Sequence, residues 1–270
     1  MRSISDGALV KQQRLAAFGS GTVIGTLGGL IGLGGAEFRL PVLIGTFRFA
    51  ALEAVILNKA MSLIVVASAL PFRTSTVPFS SIAQHWDVIA NLLAGSLLGA
   101  WLGADWATRL KSKTLYRIMA ILLVAIALAL LFGHGANTQG EPLFSGPIQV
   151  FSGAGAGFGI GVVASLLGVA GGELLIPTLV FLFGADIKLA GSLALAVSLP
   201  TMLAGFARYR RDESFAVLGE NRSFVLFMAL GSLAGAFLGG QLLGVVTSTV
   251  LLPLLAGILL ISAAKIWRHR

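Results

Sequence analysis

"GLGGAEFRLP", residues 32–41, interrupts a long apolar region with three glycines, a glutamate, an arginine and a proline. "GVAGGELLIP", residues 168–177, does the same 136 positions later. Glycine and proline are the poorest helix formers. A chain that breaks itself twice, at matching places, with these residues needs a reason beyond packing.

The 136-residue offset extends well past these stretches. "GSLLGAWLG" at 95–103 matches "GSLAGAFLG" at 231–239 in seven of nine positions. Leu30, Gly32, Gly35, Glu37, Pro41 and Leu43 match Leu166, Gly168, Gly171, Glu173, Pro177 and Leu179. Ser62-Leu63 matches Ser198-Leu199. The chain therefore reads as two copies of one unit, 1–135 and 136–270, together forming one domain. Each copy holds five apolar segments. They run near 15–33, 36–48, 51–71, 86–105 and 114–133, then near 147–168, 172–185, 188–207, 222–243 and 250–267. The second segment of each copy is too short for an ordinary span.

Of the 270 residues, 56% are hydrophobic and 11% charged. A soluble domain carries about 25% charged residues, and a helical span needs roughly 20 apolar ones. The fold class expected is an all-α polytopic integral membrane protein with no sizeable soluble domain. The polar start, "MRSISDGALVKQQR", precedes an apolar run with no clear cleavage site, so that run is expected to be a mature span. Net charge is +8, but the basic residues sit between apolar runs. That is the pattern of cytoplasmic anchoring and not of nucleic-acid binding. Cysteine is absent, which excludes thiol chemistry. His85, His134 and His269 fall at segment ends or in loops, so neither a metal site nor a cofactor is expected.

Loop charge sets the topology. Arg109, Lys111, Lys113 and Arg117 lie between the fourth and fifth segments of the first copy, whereas the matching "GVVTST" is uncharged. Arg208, Arg210, Arg211 and Arg222 lie between the third and fourth segments of the second copy, whereas the matching loop has only Arg73. Positive loops stay in the cytoplasm. Corresponding loops are thus expected on opposite sides, which makes the repeats inverted. Five crossings per copy follow, with both termini cytoplasmic, in a bacterial inner membrane.

Inverted repeats with interrupted helices are the signature of secondary transporters. A helix that restarts inside the membrane exposes free N–H groups and the positive end of its dipole, which suits an anion. Irregular backbone survives there only inside protein or beside a water-filled cavity. The expected site therefore includes Gly34, Gly35 and Ala36 with Ala170, Gly171 and Gly172. Gly32, Pro41, Gly168 and Pro177 mark the breaks. Each proline is placed about one turn into its short helix, where a missing N–H costs little. The glycines spaced by four, at 21, 25 and 29, at 95, 99 and 103, and at 231, 235 and 239, are expected to let helices touch.

Charges inside apolar segments are costly and usually functional. Lys59 and Arg39 are candidate anion ligands, with structural pairing to Glu37 or Glu173 the alternative. Asn58, Ser62, Ser192, Ser198 and Thr201 are candidate donors, although serine and threonine often bond their own backbone. Glu37 and Glu173 either cap the new helices or carry a coupled proton. Arg39 and Lys59 face Leu175 and Leu195 in the second copy, so the site is expected to be asymmetric.

"GLIGLGGAEFRLPVLI", "SLLGVAGGELLIPTLV" and the "ARYRR" at 207–211 resemble the duplicated motif of the TauE/SafE family, the toluene-sulfonate-uptake permeases or sulfite exporters. The resemblance covers nearly the whole chain. It implies transport, most often export, of a small organosulfur or sulfur oxyanion such as sulfite, sulfoacetate or another sulfonate. This chain departs from the family pattern at Arg39 and at Asn58-Lys59, and both departures add polar groups. Expected partners are a small anionic substrate and the lipid bilayer, with a homodimer left open. An anion channel, or a permease for a non-sulfur anion, is the rival. An enzyme is not expected: His-Glu-x-x-His and Gly-x-Ser-x-Gly are missing, and no aspartate pair lies in the apolar segments.

Overall fold

The computed structural model describes residues 2–31, 35–73, 78–132, 142–242 and 248–268. Gly32, Gly34, His134 and His269 lie outside them. Among the described residues every regular element is helical. The elements are α1 (Arg2–Ile31), α2 (Ala36–Gly45), α3 (Ala51–Arg73), α4 (Phe79–Gln84), α5 (Trp86–Arg109), α6 (Ser112–Phe132), α7 (Gly146–Leu167), α8 (Gly172–Phe183) and α9 (Ile187–Tyr209). A 3-10 turn (Glu213–Phe215), α10 (Ala216–Glu220), α11 (Arg222–Leu242) and α12 (Ser248–Trp267) complete the chain.

The five expected segments of the first copy are α1, α2, α3, α5 and α6. Those of the second are α7, α8, α9, α11 and α12. Two differences stand out. Helix α1 begins at Arg2 instead of near residue 15, because residues 2–14 hold one glycine and no proline to stop it. Short helices α4 and α10 fill the connections after the third segments, which have too little periodicity to announce them.

Five stretches are long and apolar enough to cross a membrane: Ala51–Ser68, Trp86–Arg109, Gly146–Leu167, Leu189–Tyr209 and Arg222–Gly239. The molecule is turned inside out relative to a soluble protein. Leu98, Phe151, Phe237 and Ile261 are each more than 60% exposed, while Arg39, Asn58, Lys59, Ser96 and Ser165 are fully buried. In water that exposed surface would aggregate. In lipid it is the solvated face. The chain is an all-α, multi-pass membrane protein.

Packing crosses between the two copies. Helix α1 lies along α11, and α5 lies along α7. The first helix of each copy therefore embraces the fourth helix of the other. The fifth helices, α6 and α12, pair with each other, as do the third helices, α3 and α9. Glycine makes the crosswise contacts possible. A Cβ at Gly21, Gly25 or Gly29 would run into the backbone of Met228, Ser232 or Ala236. One at Gly95 or Gly99 would strike the backbone of Ala154 or Phe158. In lipid, where apolar surface gains little by leaving its surroundings, such close approach is what holds helices together.

Candidate functional site

The two short helices open alike, each after a left-handed glycine. Helix α7 stops at Gly168, whose φ of 67° is left-handed. Its N–H donates to the Ser165 carbonyl at 3.1 Å, and the Val169 N–H reaches back to Ala164 at 3.0 Å. This is a glycine-terminated helix end. Gly171, also left-handed at 77°, then opens α8. In the first copy Gly35, at 73°, opens α2 in the same way. Ala36 and Gly172 are the first helical residues, and Ala170 is buried against Val66 and Met202.

Pro41 and Pro177 are the sixth residues of their helices, which corrects the expected placement. Intrahelical bonding has already begun before them, since Arg39 N–H donates to Gly35 and Leu175 N–H to Gly171. Each proline therefore removes a bond that a normal residue would make. The carbonyls left without that donor are those of Glu37 and Glu173.

Around the first break the structure gathers Arg39, Asn58 and Ser62. Arg39 is fully buried. It donates to Asn58 Oδ1 at 3.2 Å, Ser62 Oγ at 3.1 Å and Ser232 Oγ at 3.2 Å. Its Nε has no partner. Asn58 donates to the carbonyls of Ala36 and Leu167, both at 3.0 Å. It thereby ties the start of α2 to the end of α7 across the two copies.

Lys59 is fully buried beside this group. It donates to the Ala164 carbonyl at 3.3 Å and Ser165 Oγ at 3.2 Å. Its ammonium lies 5.9 Å from the Tyr209 ring centroid, and the Tyr209 hydroxyl donates to the Ser165 carbonyl. A cation here also meets the negative end of the α7 dipole. Asp105 forms ion pairs with Arg109 and Arg208. Among the described residues, Arg39 and Lys59 have only neutral hydrogen-bond partners and form no contact ion pair with a glutamate, although Arg39 is near enough for its charge to act on Glu37. Burying two basic side chains in their charged forms without bonded carboxylates is expensive, and a bound anion would offset that cost.

The remaining sequence candidates divide. Ser192 and Ser198 are buried on α9. Thr201 bonds the Val197 carbonyl at 2.8 Å and meets Ser96 Oγ at 2.7 Å, so it belongs to a separate pair. Glu37 and Glu173 sit at the second positions of α2 and α8. Each accepts from its own backbone N–H, and the two carboxyls are in hydrogen-bond contact. The positive helix ends are thus already faced by the protein's own carboxyls. Free cationic capacity lies instead with Arg39 and Lys59. Ser232, Ser165 and Tyr209 were not anticipated. A signal for Ser232 existed: it repeats Ser96 at the same 136-residue offset, inside the motif valued only for its glycines.

A family model described as "Sulfite exporter TauE/SafE" matches residues 5–130 and 153–270. A "Probable membrane transporter protein YunE" of Bacillus subtilis (strain 168) is 23% identical over 241 residues, covering 82% of this chain and 84% of the relative. A "Probable membrane transporter protein" of Xylella fastidiosa (strain Temecula1 / ATCC 700964) is 24% identical over 276 residues, covering 95% and 96%. No solved structure matches the chain. With the match running through both copies, the chain belongs to the sulfite exporter TauE/SafE family of membrane transporters.

Proposed function

We propose that this transporter moves a small organosulfur or sulfur oxyanion, such as sulfite, sulfoacetate or another sulfonate, by alternating access. Export is the favoured direction. The observation that carries the reading is the buried Arg39–Lys59 group, two cations with neutral hydrogen-bond partners beside two helix breaks. The anion would displace or join the contacts of Arg39 to Asn58 and Ser62, with Lys59 as the second charge. Gly35, Ala36, Ala170, Gly171 and Gly172 would shape the space around it. The 5+5 inverted topology, with cytoplasmic termini in the bacterial inner membrane, belongs to the same proposal. Crosswise packing of the two copies supports it, and so does the loop charge pattern.

The test is thermal stabilisation of the purified protein by a panel of sulfite, sulfoacetate, methanesulfonate, chloride and neutral solutes. A ligand that binds only the folded state raises its stability by mass action. Stabilisation by a sulfur oxyanion, lost in Lys59→Ala, is the expected result. Stabilisation by a neutral solute or a cation alone defeats the reading. Saturable counterflow in proteoliposomes separates the transporter from an anion channel.

A further inference from the structure

Two carboxyls meet where the two half-helices begin. Glu37 is the second residue of α2, and Glu173, 136 positions later, is the second of α8. Glu37 is 3% exposed. Glu37 Oε1 and Glu173 Oε2 are both enclosed and have no hydrogen-bond partner, although the two carboxyls touch. Two ionised carboxylates cannot satisfy each other, because neither brings a hydrogen. One proton resolves this. It turns one carboxyl into a donor and the other into its acceptor. Pro41 and Pro177 add a carbonyl without a helical donor at each of these two residues, so both copies present the same acceptor-rich end.

We infer that Glu37 and Glu173 form one proton-binding site holding a single shared proton, and that this proton moves together with the transported anion. The first half stands on the pair itself. The second half rests on the transporter reading above.

The charged surroundings of the pair are simple. Arg39, on α2, is the cation that acts on Glu37. From α3, Lys59 is turned toward Ala164 and Ser165. Lys265 of α12 lies against Gly45, at the far end of α2. Helix α7 has no ionisable residue, and those of α1 and α9 lie toward their polar ends. Losing the shared proton therefore adds a second negative charge to an enclosed region next to Arg39. An anion bound on Arg39 meets that charge at low dielectric, where repulsion is strong. Proton and anion thus favour each other, and the coupling is reciprocal. For a monoanion the joint movement is electroneutral. Net direction then follows the summed gradients of anion and proton.

The test has two readouts on the full-length purified protein. The first is infrared spectroscopy of the wild type. A protonated-carboxyl band is expected near neutral pH, absent from the Glu37→Gln/Glu173→Gln double variant. No such band in the wild type overturns the shared proton. The second is affinity for sulfoacetate, whose charge is constant between about pH 6 and about pH 9. Binding to the wild type is expected to be about five- to 150-fold tighter at the lower pH. That dependence is expected to be sharply reduced in Glu173→Gln alone, which keeps Glu37 and serves if the double variant is unstable. A pH dependence in Glu173→Gln as large as that of the wild type overturns the coupling. Failure of sulfoacetate and the other sulfur oxyanions to bind the wild type defeats the transport reading and the joint movement with it. The proton site is then decided by the infrared band alone.

Discussion

The two short helices start alike and carry different chemistry. Gly35 and Gly171 share a left-handed turn, Glu37 and Glu173 a position, and Pro41 and Pro177 an offset. Yet Arg39 corresponds to Leu175, Asn58 to Ala194 and Lys59 to Leu195. Leu175 packs among Leu92, Leu179, Leu193 and Val197, where the first copy has its arginine cluster. Duplication supplied the frame and its glutamate twice, and the buried arginine and lysine stand in one copy only. In the proposed transporter the break is a structural device, and anion recognition is a separate layer written over one side of it.

The harshest way to break this comparison is to give the second copy the first copy's charge. Leu175→Arg places a cation in an apolar cluster where Ala194 stands in place of Asn58, the amide that holds Arg39. It is expected to cost about 3–5 kcal/mol, seen as loss of monodisperse protein on size exclusion. A well-behaved variant would mean that the two environments are more alike than their side chains suggest. The reverse substitution, Arg39→Leu, makes the first copy resemble the second. Anion affinity is expected to fall by roughly 30-fold or more, while the unliganded melting temperature holds or rises, since an incompletely paired buried charge is removed. Unchanged anion-induced stabilisation would move the site away from Arg39.

A smaller effect probes the shared frame. Gly35→Ala and Gly171→Ala each force a left-handed alanine, at about 1–2 kcal/mol. At Gly35 the new methyl also meets the Ile24 backbone carbonyl, whereas at Gly171 its nearest neighbour is the Ile160 side chain at 3.0 Å. Gly35→Ala is expected to lower the melting temperature further. Equal shifts would say that side-chain and backbone neighbours yield alike. The smallest effect concerns Thr201. Thr201→Val removes its contact with Ser96, at about 0.6 kcal/mol, and leaves anion affinity untouched. A loss of affinity there would return α9 to the site.

Much of this fold was legible because the chain states it twice. A glycine run followed by glutamate and proline gives a restarted helix in both copies, and the spaced glycines of α1, α5 and α11 do seat helices against backbone. Arg39 and Lys59 were legible as charges where charges are costly. What stayed hidden depends on contacts between copies. Nothing near Ser232 indicates that α11 will lie along α1 and bring its hydroxyl to Arg39. Nor does local sequence place Ser165 and Tyr209 beside Lys59. The prolines were misjudged by only part of a turn, yet that difference decides whether a backbone carbonyl is freed.

The crosswise embrace of α1 and α11 also sets a schedule for synthesis. When α1 enters the membrane, the helix that fills its glycine face is roughly 190 residues from being made. At about 5–20 residues per second, that is a wait of roughly 10–40 s. During that time Gly21, Gly25 and Gly29 face lipid or a temporary companion. α5 waits far less for α7. The first helix therefore stays without its final neighbour while most of the remaining chain is threaded, and a chain that ends before α11 keeps that glycine face uncovered.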